Sequence, residues 1–157
     1  MKSLTPAALD TLVLQAQQSP RRRANLNLHD TLDDSVQRLA IAMEPDTVVF
    51  PHRHPQTFEL LTPLRGRFLV LHFDATGMVT QRAVLGEDCA VIENPAGAWH
   101  AVLSLDSGGV VFEVKRGPYV PVGDADTASW SATASATGTQ SLLEGYRRVQ
   151  VGERLPG

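Results

Sequence analysis

A chain of 157 residues with a formal net charge of −3 and an apolar share of 43% reads as one globular domain, large enough to bury most of an ordinary core. That charge gives no global reason to expect a nucleic-acid partner, and no apolar run approaches the roughly 20 residues of a membrane span. The single cysteine, Cys89, rules out a disulfide within the chain and suits a reducing compartment. With no charged-then-apolar leader in Met1–Pro6, the expected location is the cytoplasm.

The first predicted element is a helix. Thr5 can cap it with Pro6 at the first helical position, and Leu9, Leu12, Val13 and Ala16 follow at helical spacing until Ser19-Pro20 ends it. A lid over a sheet edge or a subunit contact is the expected role. Arg21-Arg22-Arg23 comes next, the one dense positive cluster. It can hold a phosphate or carboxylate through bidentate hydrogen bonds, although charge runs are more often solvated surface. Asn25 to Asp34 reads as irregular, with His29 inside it.

From Val36 the pattern turns to strands. Leu39, Ile41 and Met43 alternate with smaller residues, Thr47–Phe50 is a second apolar run, and Leu60–Leu64 leads into a turn at Arg65-Gly66. Phe68–Phe73 is a strong strand, with Phe68, Val70 and His72 on one face and Leu69, Leu71 and Phe73 on the other. A hairpin at Asp74–Gly77 returns the chain through Met78–Leu85. Further strands are expected over Cys89–Ile92, Ala101–Leu105 and Val110–Val114. Many short strands with Gly and Pro turns argue for an all-β sandwich or barrel. Gly123–Gln140 is too poor in large apolar groups to order itself. Beyond it only Ser141–Tyr146 offers a short element that could dock, so the expectation is a loose C-terminal tail.

The chemistry concentrates in Phe50–Glu59. His52 and His54, two apart in an extended stretch, place their imidazoles on one face about 6.6 Å apart. Glu59 lies an odd number of positions beyond His54, so a bend, for which Pro55 is suited, must re-aim it. Two imidazoles and a carboxylate suit zinc, iron, manganese or nickel. A fourth ligand has to come from elsewhere: His100 or His72, with His29 in reserve. The turn Pro95-x-Gly97-x-x favours His100, whereas His72 lies within an apolar strand. Trp99 either lines a pocket or fills the barrel.

These residues resemble the cupins. His52-x-His54-x4-Glu59-x6-Gly66 is similar to the first cupin motif, with Asp46 in place of its leading glycine. Pro95-x-Gly97-x2-His100 is similar to the second, with Gly86 farther upstream than the pattern asks and Ser104 in place of its asparagine. A closer resemblance, from about Ser19 to Pro118, is to the WbuC-type cupin fold metalloproteins. It includes Arg21, Arg23, His29, Val36–Leu39 and the closing Glu113-Val114-Lys115-x-Gly117-Pro118. The resemblance implies a double-stranded β-helix over residues 36–118. An N-terminal helix and Arg-rich segment (1–35) would precede it, and a partly flexible tail (119–157) would follow. It implies one divalent transition metal per chain on His52, His54, Glu59 and His100, and it raises interest in Arg21, Arg23 and His29 beside His72 and Trp99 as pocket residues.

The resulting expectation is a metal-binding cupin acting on a small polar molecule, sugar derivatives included, as an isomerase, hydrolase or dioxygenase. The alternative is a non-catalytic metal-dependent binding protein or sensor, with Arg21 and Arg23 grasping an anion. A metal-free sugar epimerase fits poorly, because four retained ligands would then have no purpose. Small jelly rolls often cover their sheet edges with a second subunit, so a homodimer is expected, with no nucleic-acid or membrane partner.

Overall fold

The computed structural model describes residues 1–131 and 136–155. Among these residues, eight strands form two antiparallel sheets. The larger sheet is built from β1 (Arg23–Asn27), β2 (Val36–Met43), β3 (Glu59–Arg65), β6 (Ile92–Asn94) and β8 (Gly109–Arg116), in the order β1-β2-β8-β3-β6. The smaller runs β5-β4-β7, from β4 (Phe68–Phe73), β5 (Val79–Leu85) and β7 (Trp99–Ser104). Helix α1 (Pro6–Gln18) precedes the sheets and α2 (Ala136–Arg148) follows them. The expected jelly-roll barrel is the observed architecture.

Strand alternation sets the layers. Met43, Leu61 and Val111 of the large sheet meet Phe68, Val70 and Val102 of the small one, forming the core between them. The residues between these positions face outward and need their own cover. Ala40, Ala42 and Val110 pack under α1 through Leu9, Leu12 and Ala16. Thr5 caps that helix as expected, its hydroxyl accepting from the Ala8 amide at 3.2 Å. The helix lies on the sheet's outer face.

Covering the other side falls to the segment expected to be loose. Leu69, Leu71, Phe73, Ala101 and Leu103 pack against Leu142, Leu143, Tyr146, Val149 and Leu155. Positions 142, 143, 146 and 149 follow helical spacing and present one apolar stripe. The tail is therefore docked rather than loose, because it packs over Leu69, Leu71, Phe73, Ala101 and Leu103 on the small sheet's outer face and buries them. Each such side chain contributes about 1.5–3 kcal/mol of transfer free energy against its ordering cost. The rest of the chain past Gly152 adds backbone bonds to β5, Val79 N–H donating to Glu153 O at 2.8 Å and Gly152 N–H to Val79 O at 2.9 Å. Residues 132–135 of the low-complexity stretch lie outside the described residues.

Three local expectations need correction. Arg23–Asn27, read as connector and irregular chain, is strand β1, paired with β2 from Arg23↔Met43 to Asn27↔Leu39. Thr47–Phe50, read as a strand, has no regular structure. Its carbonyl at Val49 is instead taken by the Tyr146 hydroxyl at 2.8 Å. Of Cys89–Ile92, only Ile92 enters a strand.

Candidate metal centre

The histidine pair is held in place by backbone. His52 and His100 exchange two hydrogen bonds, His52 N–H to His100 O at 3.0 Å and His100 N–H to His52 O at 2.8 Å. This brings a residue from the Phe50–Glu59 stretch directly opposite the first residues of β7. His54 O accepts from Gly97 N–H at 3.0 Å, which is what the Pro95–Gly97 turn provides. Gly97 takes a φ of +77°, a conformation glycine adopts without steric cost. The ring centroids lie 4.5 Å (His52–His100), 5.0 Å (His52–His54) and 5.6 Å (His54–His100) apart. One nitrogen from each of the three lies within 4.8 Å of the other two, so His52, His54 and His100 can hold one metal ion.

The tautomers suit that use. Nδ1 of His52 lies 2.9 Å from Phe50 O, and Nδ1 of His100 lies 2.9 Å from Ala98 O. A carbonyl can only accept, so Nδ1 carries the proton and the Nε2 lone pair is free. The buried Nε2 atoms of His54 and His100 have no hydrogen-bond partner. Burial, followed by the nearby His100 ring, lowers the His52 pKa to about 4, which keeps that ring neutral through the physiological range. Three convergent imidazole nitrogens, two of them without a hydrogen-bond partner, are a donor set that a divalent transition metal can use.

Glu59 lies beside the three imidazoles at the head of β3, re-aimed by a turn at Pro55-Gln56. Its carboxylate oxygens sit 3.4 Å from His54 Nε2 and 3.3 Å from His100 Nε2. Burial works against the Glu59 charge, yet the His100 and His54 imidazoles outweigh it and hold the carboxyl well below its ordinary range. For His100 burial opposes the proton, and Glu59 prevails in raising its pKa. Asn94 Nδ2 donates to Glu59 Oε2 at 2.9 Å, and His72 Nε2 donates to Asn94 Oδ1 at 2.7 Å. His72 faces the interior opposite His100 in the β4–β7 register, and its ring reaches the cluster through Asn94 and Glu59.

Two charged residues on β8 join the site. Lys115 Nζ is 2.7 Å from Glu113 Oε1 and 3.8 Å from Glu59 Oε1. Burial, then the Glu59 charge, raises the Glu113 pKa to about 8, so Glu113 retains a proton near neutral pH beside the three imidazoles. Sequence reasoning missed Asn94, Glu113 and Lys115 as site residues. The available signal was Glu113-x-Lys115, charged residues two apart inside an apolar strand, which must face a polar interior.

A cavity of about 510 Å³ opens onto this cluster, within the size range of small-molecule sites. His52, His54, Glu59, Glu113 and Lys115 line it, as do Arg21, Arg23 and His29. His72 and Trp99 are not among its lining residues. Trp99 alternates outward with Ala101 and Leu103, under the Arg53 guanidinium at 4.6 Å and beside Trp130 at 6.2 Å. Its place is packing. The departures from the cupin motifs also find structural uses: Asp46 pairs with Arg22, and Ser104 Oγ donates to Asp106 O at 2.8 Å.

A sequence family described as a domain of unknown function (DUF6016) matches residues 4–85, just over half of the chain. The chain belongs to this family. The matched part of the DUF6016 chain contains α1, β1 and the His52, His54 and Glu59 stretch, and stops before His100. No curated protein matches. Among solved structures, KdgF from Halomonas sp. is similar at a TM-score of 0.51 and 16% identity, covering 66% of this chain and 85% of its own. The protein TT1209 from Thermus thermophilus gives 0.55 and 19%, covering 74% and 97%. A recombinant oxalate oxidase in complex with glycolate gives 0.51 and 18%, covering 68% and 57%. At these identities the likeness concerns the fold, which in this DUF6016 chain is the cupin jelly roll. Among the described residues, no helix is long and apolar enough to cross a membrane.

Proposed function

We propose that this protein is a metal-dependent cupin enzyme acting on a small polar molecule by isomerase, hydrolase or dioxygenase chemistry. His52, His54, His100 and Glu59 would hold one divalent metal. The observation that carries the reading is the convergence of three imidazoles, two of them with partnerless buried Nε2 atoms, beside a ligand-sized cavity that His52 and His54 line. Bound there, a metal supplies Lewis-acid polarisation of a substrate oxygen, and redox chemistry if it is iron. The chain's own groups supply proton handling: Glu113 holds a proton near neutral pH, and Lys115 contacts Glu113 while balancing the charge of Glu59. These acid–base groups favour an enzyme over a purely binding protein, and saturable binding without turnover across a panel of sugars and carboxylates would reverse that preference. The WbuC-type assignment belongs to the same proposal, and the positions of Arg21, Arg23 and His29 on the cavity wall support it.

Elemental analysis of protein purified without added metal should find close to one divalent metal per chain. No metal, together with no uptake on titration, would remove the reading. Asn94→Leu should keep the fold but weaken metal affinity about 10–100-fold, the usual loss when a group orienting a ligand is removed; competition with a chelating dye measures it. Unchanged affinity would mean that Glu59 needs no orienting partner. A cytoplasmic homodimer is also proposed. The large sheet ends in β1 and β6, whose outer edges pair with no other strand among the described residues, and light scattering coupled to size exclusion should give twice the chain mass.

A further inference from the structure

The sequence Arg21–His29 presents one face to the cavity: Arg21, Arg23, Asn25, Asn27 and His29 all line it, the period-two face of β1 extended at both ends. Arg22, out of phase, turns away and pairs with Asp46 through Nε at 3.0 Å. Among the described residues, neither the Arg21 nor the Arg23 side chain has an ion pair or hydrogen bond. The carboxylates lining the cavity are Glu59 and Glu113, both engaged with Lys115 on the β3–β8 side. The β1 side therefore carries uncompensated positive charge.

His29 adds a directed donor. It is 5% exposed, and its Nε2 is buried without a partner. Its Nδ1 lies 2.9 Å from the Arg38 backbone N–H and 3.0 Å from Arg38 O. That carbonyl already accepts from Leu28 N–H at 2.8 Å, whereas the Arg38 N–H can only donate. Nδ1 is thus the acceptor, and the proton resides on Nε2, on the ring edge away from Arg38, in a side chain that lines the cavity. A buried donor without an acceptor is costly, and a ligand oxygen would relieve that cost.

We propose that the cavity takes a small organic anion, an oxygen of which accepts from His29 Nε2–H while Arg21 and Arg23 balance its charge. Leu39, Ile41, Leu61 and Val111 line the same cavity, so a carbon-backed carboxylate fits its walls better than inorganic phosphate does. The proposal rests on the metal-centre reading for the other end of the ligand, which would meet the metal.

The test is calorimetric titration of metal-loaded protein with malonate, succinate, glutarate and adipate, with monocarboxylates of matching length, and with inorganic phosphate. His29→Asn keeps an amide oxygen where Nδ1 accepts and removes the donor from the cavity. The double variant R21Q/R23Q removes the charge from an exposed and a half-buried position, so folding is not at issue. Arg22→Gln is the charge-matched control. At least one dicarboxylate should bind more tightly than its monocarboxylate. Its affinity should fall about tenfold or more in His29→Asn and in R21Q/R23Q, with metal content kept and the control unchanged. Equal binding by all variants, tighter binding of phosphate, or no anion binding would overturn the subsite. Loss of metal from the wild-type preparation would instead overturn the metal centre, and assaying metal on the same samples separates the two failures.

Discussion

His100→Ala is expected to abolish stoichiometric metal binding, with an affinity loss greater than the roughly 100-fold that bounds the effect of groups behind the ligands. The substitution leaves the backbone pair between residues 52 and 100 intact, since both bonds are main-chain. It removes one of three convergent nitrogens and one of the two imidazoles that hold the buried Glu59 charge. His72→Ala acts on Glu59 only through Asn94, so its loss should stay within about 10–100-fold. Equal losses for the two variants would show that His100 is not a ligand. Melting temperature gives a second readout. Metal at 1,000 times its dissociation constant stabilises the wild type by about 4.1 kcal/mol, and the corresponding rise in Tm on metal addition should vanish in His100→Ala.

Much of this arrangement was legible in the sequence, wherever side-chain chemistry repeated at structural spacing. The alternation of Phe68–Phe73 gave both of its faces correctly, Leu69, Leu71 and Phe73 outward and Phe68 and Val70 inward. Thr5-Pro6 gave the start of α1. Strand β1 was not legible for a physical reason. Strand recognition relies on an apolar inner face, and the inner face of β1 is Arg23, Asn25 and Asn27 because it faces a cavity and not a core. The same logic hid Glu113 and Lys115. Thr47–Phe50 misled in the opposite direction: β-branched residues there serve tertiary contacts with the tail while the backbone stays irregular. The tail itself was misjudged because the composition of Gly123–Gln140 outweighed the helical spacing of Leu142, Leu143, Tyr146 and Val149.

That tail should matter to the metal centre as well as to stability. Tyr146 is fully buried, and its hydroxyl donates to Val49 O at 2.8 Å, three residues before His52. Upstream, Ala128 N–H donates to Pro51 O at 2.9 Å, Arg53 N–H to Asp126 O at 3.0 Å, and the Arg53 guanidinium to Asp126 Oδ1 at 2.8 Å. The segment carrying His52 and His54 has no strand pairing of its own beyond isolated bridges at His52; the tail supplies what an adjacent strand would. Tyr146→Ala is therefore expected to cost about 3–5 kcal/mol, as for other large aromatic truncations in a core. For a chain of this size that is a fall in Tm of roughly 6–20 °C. Tyr146→Phe keeps the packing and leaves the Val49 carbonyl without its donor, for a smaller cost of about 1–3 kcal/mol. Because that carbonyl belongs to the histidine-bearing segment, Tyr146→Phe should also weaken metal affinity, whereas Leu142→Ala, equally buried but without a bond to the segment, should lower Tm with a smaller effect on metal. A Tyr146→Ala protein that melts like the wild type would show that the tail lies outside the cooperative unit. If metal affinity instead fell equally in Tyr146→Phe and Leu142→Ala, the tail would act on the site through global stability alone, and the Tyr146–Val49 bond would have no separate role.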